Sequence, residues 1–272
     1  MKKKRIGKIV YGIFALLMVA GLVYGGCRLG LYFHESRTAA EQYAQLAERL
    51  EQIREELPQD QPPSEQPTDG TQDDPQEPEG AGILPDYQPL YEMNPDMVGW
   101  ISVPNTIINY PVMQTPDDPD YYLSHDFYKQ KSEWGVIYAR EVSDVNSPSD
   151  NVTLYGHYKR DGTMFSRLDH FKKKSYWQDN QTFTFDTLYE RHTYRVWAVF
   201  KTSANYGEGY GYHLFSDAKD QQEFDTFVDT VKSLAFYDTG ITPVYGDKLL
   251  TLSTCEYTLS NGRFVVCAVR VS

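Results

Sequence analysis

The pattern of apolar and polar positions divides the chain into distinct parts. Residues 9–27 form an uncharged apolar run of nineteen residues, close to the ~20 that a helix needs to span a bilayer. In residues 35–57, apolar side chains recur every three or four positions among Glu, Gln and Arg, which predicts an amphipathic helix. Residues 58–86 lack aromatic residues and apolar periodicity, which predicts an acidic, proline-rich linker. Residues 87–272 are the predicted folded domain.

Residues 1–34 are predicted to be a basic cytoplasmic tip followed by a membrane anchor. Basic residues at positions 2–5 and 8 precede the apolar run, which by the positive-inside rule predicts a cytoplasmic N-terminus and an extracellular remainder. A cleaved signal peptide shares the basic start, but the run is longer than the usual apolar region and no small-x-small site ends it. Lipidation of Cys27 is disfavoured by Tyr24 and by the apolar residues after it. The sequence therefore predicts a single-pass anchor.

Short runs rich in β-branched and aromatic residues follow the linker, separated by Pro, Asn, Asp and Gly. The predicted strands are residues 98–103, 107–111, 135–139, 151–156, 182–186, 193–202, 248–254 and 264–271. This spacing is typical of a barrel or a sandwich. Helices are predicted at 163–171 and 216–235, with Ser216 as the N-cap of the second and its aromatic stripe in the core. The fold class is thus mainly β with helices.

Charge and cysteine content exclude several kinds of protein. The net charge of −12 is distributed as +3 in residues 1–57, −8 in 58–86 and −7 in 87–272, so no basic field for nucleic acid exists. Three cysteines are too few for a disulfide scaffold. No metal-ligand spacing occurs, and no cofactor is predicted. The GEGYG run at 207–211 lacks the Lys-Ser/Thr of a phosphate loop and is interpreted as a mobile glycine-rich loop.

The last two predicted strands form a hairpin that carries candidate chemistry. Cys255 ends one strand and Arg263 begins the next, and a thiol beside a permanent cation suits acyl transfer. His157 ends the strand NVTLYGH, where Gly156 allows the backbone to turn and the ring to reach a barrel rim. The remaining histidines are interpreted as a membrane-bordering residue (His34) and as surface residues (His125, His170, His192 and His213).

Cys267 offers a contrast with Cys255. It lies in the middle of the apolar strand FVVCAV and is interpreted as a small buried hydrophobe, whereas Thr254 and Glu256 surround Cys255 with polar groups. A disulfide between the two cysteines is disfavoured because the strand registers look wrong for it.

These residues resemble the signature of class B sortases, membrane-anchored cysteine transpeptidases of Gram-positive bacteria. The matching motifs are TLSTC, ending at Cys255, then Arg263, and LYGH, ending at His157. The similarity extends through NPDMVGWISV, INYPVMQ, DYYLSHDFY and DGTMF and covers roughly residues 87–272. The predicted helix at 216–235 is similar to the helix by which class B differs from other sortases.

The resemblance implies an eight-stranded sortase barrel with Cys255 as nucleophile, His157 as general acid and base, and Arg263 holding the substrate and the oxyanion. It implies two substrates: secreted proteins with a C-terminal sorting signal, cleaved after Thr through a thioester, and an amine of a peptidoglycan precursor or cross-bridge. By the same analogy the groove is lined by Leu123, Ser253, Thr254, Glu256 and the loop at 206–212.

Departures from the family pattern leave the finer specificity open. Tyr158 follows the histidine where the family often has Asn, and Tyr257 lies in a shortened Cys-to-Arg loop where an acidic residue can occur. The sorting motif is therefore open between NPQTN-like and PxTG-like, and pilin polymerisation is a further possibility. The alternatives are an L,D-transpeptidase, which places Gly where Thr254 stands, and a non-catalytic surface receptor with a buried Cys255.

Overall fold

The computed structural model describes residues 2–57, 82–205 and 207–272, with the side chains of 2–10 outside that description. Helix α1 spans Lys2–Glu56. The chain divides into two compact units, Met1–Gln42 and Tyr43–Ser272, so α1 contributes to both. The stretch Tyr11–Glu56 of α1 is long and apolar enough, by length and composition, to cross a membrane. The predicted anchor and amphipathic helix thus belong to one helix.

The second unit contains a closed barrel of eight strands. In chain order they are β1 (Met97–Ser102), β2 (Asn109–Met113), β3 (Ile137–Ala139), β4 (Asn151–Tyr155), β5 (Thr182–Thr187), β6 (Thr193–Ser203), β7 (Leu249–Glu256) and β8 (Gly262–Arg270). Around the barrel the order is β1-β2-β3-β4-β7-β8-β6-β5. Each predicted run matches one strand, and closure decides between the barrel and the sandwich that the spacing left open.

The pairing of three strands positions the candidate chemistry. Strands β4 and β7 are parallel, with Tyr155 opposite Ser253. Strands β7 and β8 are antiparallel, with Cys255 opposite Arg263. Because parallel neighbours run in the same direction, the chain leaving β4 emerges at the edge of the sheet where β7 ends. His157, two residues after the end of β4, is thereby brought to the end of β7 that carries Cys255.

Four helices and several 3₁₀ turns accompany the strands in the described residues: α1, α2 (Gln88–Met93), α3 (Lys174–Asp179) and α4 (Gln221–Leu234). The helix predicted at 163–171 is a 3₁₀ helix at Phe165–Lys172. The prediction of Ser216 as the N-cap of α4 is wrong. The cap is Asp220, whose carboxylate accepts a hydrogen bond from the Glu223 amide at 2.9 Å, since a carboxylate satisfies a free N–H of the first turn.

Helix α4 covers one face of the barrel with the apolar stripe that the sequence predicts. Its buried residues Phe224, Phe227, Val228 and Val231 join a core cluster with Trp197 and Phe200 of β6 and with Val265 and Cys267 of β8. Phe227 also stacks on Phe215, with ring centroids 4.1 Å apart. The aromatic stripe is therefore core, as predicted.

The last turns of α1 are part of the second unit. Tyr43, Leu46, Leu50 and Ile53 are buried and occupy the positions of the predicted apolar face. The Tyr43 ring packs edge-on against Tyr110 of β2, with centroids 5.4 Å apart, and its hydroxyl donates to the Gly135 carbonyl. Burial of four large side chains makes this segment a structural element of the barrel unit rather than a separate one.

A charged cluster joins the end of α1 to the chain that follows residue 81. The buried Asp86 carboxylate accepts hydrogen bonds from Arg54 and Arg191, each at 2.8 Å. The Tyr87 hydroxyl donates to Asp186 of β5 at 2.7 Å. The folded unit therefore extends beyond the predicted boundary at residue 87 and includes residues 43–56 and 82–86. The rest of the predicted linker, 58–81, lies outside the described residues.

Leu50→Ala tests whether the end of α1 belongs to the barrel unit. Leu50 is fully buried, so we expect its truncation to lower the free energy of unfolding by about 2–5 kcal/mol. The measurement is denaturant unfolding of the full-length chain in detergent, followed by tryptophan fluorescence. Gln45→Ala, at an exposed position of the same helix, serves as the control. An unfolding curve of Leu50→Ala that overlays the wild-type curve would show that the helix end does not contribute.

Candidate active site

A cavity of about 570 Å³ opens where β4, β7 and β8 present their candidate residues. It is lined by the predicted reactive residues His157, Cys255 and Arg263 and by three of the predicted substrate contacts, Leu123, Ser253 and Thr254. Tyr212, from the predicted groove loop at 206–212, also lines it, whereas Tyr206 lies outside the described residues. Residues distant in sequence are thus brought to one surface.

Cys255 and Arg263 face each other across the β7–β8 ladder. Nη1 of Arg263 donates to Oδ1 of Asn261 and to the Gly262 carbonyl, both at 3.0 Å. Asn261 has a φ of 47°, a left-handed conformation that Asn tolerates in tight turns. The turn between the two strands therefore holds the guanidinium through its Nη1 atom, on the strand next to the partly exposed Cys255 thiol.

All three cysteines are free, and the two in the barrel differ in environment. Cys267 lies opposite Thr251, four positions along the ladder from Cys255, which is too far for a disulfide. Burial raises the pKa of the Cys267 thiol to about 12. The interpretation of Cys267 as a buried hydrophobe is confirmed, and a thiolate at neutral pH is disfavoured there.

His157 is positioned by packing before it and by a hydrogen bond from its ring. A Cβ at Gly156 would lie 2.5 Å from Ile137 and 2.7 Å from Phe165, so only glycine fits the close approach just before the histidine. Nε2 of His157 lies 2.8 Å from the Leu123 carbonyl oxygen. Because a carbonyl only accepts, the proton is on Nε2, and Nδ1 is the nitrogen that can take up another proton.

Burial lowers the pKa of His157 below its ordinary value of 6.5, and the positive charge of Lys159 lowers it further. The hydrogen bond to the Leu123 carbonyl raises the pKa but does not offset these two effects. The imidazole is therefore neutral at pH 7. A neutral ring with a free Nδ1 can accept a proton from a thiol, and its protonated form can return one to a leaving amine.

Tyrosine side chains form much of the cavity wall. Burial raises the pKa values of Tyr138 and Tyr155, and it raises that of Tyr212 to about 12, with the hydrogen bond to Ser253 opposing the shift. All three are uncharged donors at neutral pH. The Tyr212 hydroxyl lies 2.5 Å from Oγ of Ser253, which ties the loop before α4 to the strand that carries Cys255.

Charged groups of both signs complete the cavity. Asp120 and Glu141 supply carboxylates, and Arg140 supplies a guanidinium that donates to the His213 carbonyl. Burial, and then Arg140 and Arg263, lowers the pKa of His213. Within the described residues, no group of three or more His, Cys, Asp and Glu side chains could hold a metal ion. The thiol, imidazole and guanidinium that line one cavity suit nucleophilic acyl transfer by the thiol.

A family model described as a sortase domain matches residues 101–271, which is more than half of the chain. The chain belongs to the sortase family. The curated sortase B of Staphylococcus aureus is 30% identical over 188 residues, covering 68% of this chain and 75% of the relative. The sortase B of Listeria monocytogenes is 28% identical over 187 residues, covering 68% of this chain and 73% of the relative.

Solved structures agree with the assignment to class B. The sortase B of B. anthracis in complex with AAEK1 has a TM-score of 0.70 at 28% identity and covers 88% of this chain and 99% of its own. A Staphylococcus aureus sortase B–substrate complex has a TM-score of 0.73 at 24% identity, with coverage of 88% and 99%, and shows the shared fold. This class B sortase is therefore a cysteine transpeptidase of cell-wall anchoring, not an L,D-transpeptidase or a non-catalytic receptor.

The structure corrects the positions of three residues. Glu256, a predicted substrate contact, does not line the cavity of this sortase. Its carboxylate accepts hydrogen bonds from the Thr258 hydroxyl at 2.7 Å and from the Thr258 and Leu259 amides, so it stabilises the β7–β8 turn. His192 and His213 were both expected at the surface. His192 is buried because it precedes β6 and its carbonyl accepts a hydrogen bond from the Phe185 amide of β5, and His213 lines the cavity from the 3₁₀ turn Tyr212–Leu214.

Sequence reasoning also missed groups of this sortase that line the cavity or contact its histidine. The Leu123 carbonyl orients His157, yet a backbone group leaves no signal in the sequence. Asp120, Arg140 and Glu141 reach the cavity from loops and strand ends whose approach depends on barrel closure. The position of Arg140, immediately after a predicted strand, is the one signal that was available.

We expect an NMR titration of His157 to show a pKa below 6.5, because burial of the ring disfavours the imidazolium. The folded protein then binds this proton less readily than the unfolded chain. Stability contributed by the neutral ring is present above pH 6.5 and is lost as the pH falls through the folded-state value. Long-range ¹H–¹⁵N spectra of labelled histidine give both the pKa and the tautomer.

Lys159→Gln is the matched variant for this titration. It should move the pKa of His157 upward, because the positive charge of Lys159 lowers it. A wild-type value at or above 6.5, or a proton on Nδ1 instead of Nε2, would contradict the geometry described here.

Proposed function

We propose that Cys255 attacks the carbonyl of a Thr in a C-terminal sorting signal and that an amine of peptidoglycan then resolves the thioester. The observation that carries this proposal is the position of Cys255, directly opposite Arg263 and in one cavity with His157. In the first half-reaction sulfur forms a C–S bond, the peptide C–N bond breaks, and the leaving amine takes a proton. In the second, the amine nitrogen forms a C–N bond and gives up a proton to His157, the C–S bond breaks, and the Cys255 thiolate leaves.

The roles of the two partners follow from their contacts. His157, with its proton on Nε2, accepts the thiol proton at Nδ1 and returns it to the leaving amine. The Arg263 guanidinium has more donors than the turn contacts of Nη1 consume. The remaining donors stabilise the oxyanion of the tetrahedral intermediate.

The cavity offers apolar and hydrogen-bonding contacts to a peptide. Leu123, 41% exposed, offers an apolar contact, and the buried Thr254 hydroxyl makes no hydrogen bond to the described residues. Tyr138 and Tyr155 add neutral rings on the same wall. A related protein, sortase B of Staphylococcus aureus, has been solved as a complex with a substrate. We extend that activity to sorting signals of the NPQTN-like or PxTG-like kind, between which the cavity contacts do not choose.

The full-length chain should form a covalent adduct with one peptide from a panel of NPQTN-like, PxTG-like and LPxTG-like sorting signals. Intact-protein mass spectrometry of the chain in detergent detects the thioester on Cys255, with and without a diamine. Cys255→Ala should abolish the adduct. His157→Ala should slow its formation by about 10²–10⁴-fold, and Arg263→Ala by about 10²–10³-fold.

Matched controls separate a lost role from a damaged fold. Cys27→Ala removes an exposed thiol of α1, and His170→Ala and Arg195→Ala remove partly or fully exposed side chains away from the cavity. All three should keep the wild-type rate. Adduct formation that survives Cys255→Ala, or an identical loss in the controls, would refute the assigned roles.

We also propose that residues 1–34 anchor this sortase with its catalytic unit outside the cell. The long apolar helix of Tyr11–Glu56 and the basic residues at positions 2–5 and 8 support this orientation. On intact protoplasts, added protease should digest the catalytic unit and spare an N-terminal cytoplasmic tag. A mature protein that begins after residue 27 would instead show a cleaved signal peptide.

A further inference from the structure

Two tyrosines stand beside the reactive residues but outside the cavity. Tyr158 follows His157, and Tyr257 lies two residues after Cys255. Their rings meet edge-to-face, with centroids 5.6 Å apart and an interplanar angle of 75°. The cavity is lined by His157 and Cys255 and by neither tyrosine. The thiol and the imidazole therefore have the cavity on one side and this aromatic pair, Tyr158 and Tyr257, on another.

The aromatic pair is accessible and held in place. Tyr257 is 74% exposed, among the most exposed large apolar side chains of the barrel unit. Partial desolvation raises the pKa of its phenol, and the nearby Cys255 raises it further. Tyr158 is anchored by a β-bridge to Met164 and by its hydroxyl, which lies 3.5 Å from the Asp169 carboxylate. The aromatic pair is thus exposed at Tyr257 and held in place at Tyr158.

Transpeptidation requires that the amine of the second substrate reach the carbonyl carbon that Cys255 has already attacked. While the thioester exists, the acyl chain occupies the cavity, and the incoming amine has to reach the carbonyl from outside it. The amine nitrogen uses its lone pair to form the C–N bond, loses a proton, and displaces the Cys255 thiolate. A contact surface beside the thiol and outside the cavity would hold this second substrate in an orientation that favours attack.

We propose that Tyr158 and Tyr257 form the contact surface for the second substrate, a peptidoglycan peptide that carries a free amine. This inference rests on the proposed function. Tyrosine suits such a ligand because it combines a large rigid apolar face with a hydroxyl and loses little conformational entropy on binding. Because Tyr158 follows His157 and Tyr257 lies two residues after Cys255, the ligand we infer for this surface is the amine substrate and not an unrelated protein.

The test compares two amines on the full-length chain. A sorting-signal peptide that forms the thioester is supplied with either ethylenediamine or a disaccharide–peptide muropeptide with a free side-chain amine. Ethylenediamine is too small to span from the thioester onto the aromatic pair. Tyr257→Ala and Tyr158→Ala should therefore raise KM for the muropeptide by about tenfold relative to KM for ethylenediamine, as expected for the loss of one aromatic contact.

Conservative and distant variants sharpen the comparison. Tyr257→Phe keeps the ring and should restore most of the muropeptide affinity if the aromatic face makes the contact. Tyr245→Ala removes another exposed tyrosine, which packs on Phe224 of α4 with centroids 5.9 Å apart, and should leave the ratio of the two KM values at the wild-type level.

Each outcome bears on a different statement. An equal loss with both amines, or a fall in thioester formation, would mean that the pair only orders the β7–β8 turn and would overturn the inference. A normal thioester with an unchanged KM ratio would also overturn it, while the proposed function stands. No thioester in the wild type would overturn the proposed function and the inference together.

Discussion

The parallel pairing of β4 with β7 is the constraint on which the site depends. It aligns Tyr155 with Ser253, and the chain that leaves β4 then delivers His157 to the end of β7 that carries Cys255. The antiparallel partner β8 adds Arg263 opposite the thiol. A shift of one residue in either pairing would turn the side chains to the opposite face of the sheet. The extensive apolar burial beneath α4 therefore stabilises the register as well as the fold.

Arg263 supplies a positive charge opposite the thiol, whereas the tyrosines of the cavity wall are neutral. Buried tyrosines are neutral, and His157 is neutral at pH 7 because burial lowers its pKa. In a partly desolvated cavity a fixed guanidinium acts on developing negative charge more strongly than it would in water. The Tyr212–Ser253 contact closes the wall by fastening the loop before α4 to β7. The proposed substrate contacts Ser253 and Thr254 thus lie on the same strand as the candidate nucleophile Cys255.

The charged cluster at the end of α1 serves a different purpose from the cavity. Asp86 is fully buried and is held by two guanidiniums, so loss of either would leave a buried charge with less compensation. Arg54 belongs to α1 and Asp86 follows the predicted linker, so their contact joins the end of α1 to residues 82–86 within the barrel unit.

The sequence by itself determined the eight strands, the apolar N-terminal helix and the identity of Cys255, His157 and Arg263 as candidates, because alternation, apolar length and strand-end polarity are local properties. Only the tertiary structure decided that the strands close into a barrel, that the last turns of α1 pack on it, and that Glu256 turns away from the cavity. Those outcomes depend on contacts between residues far apart in the chain, such as Arg54 with Asp86 and His157 with the Leu123 carbonyl, which no local pattern encodes.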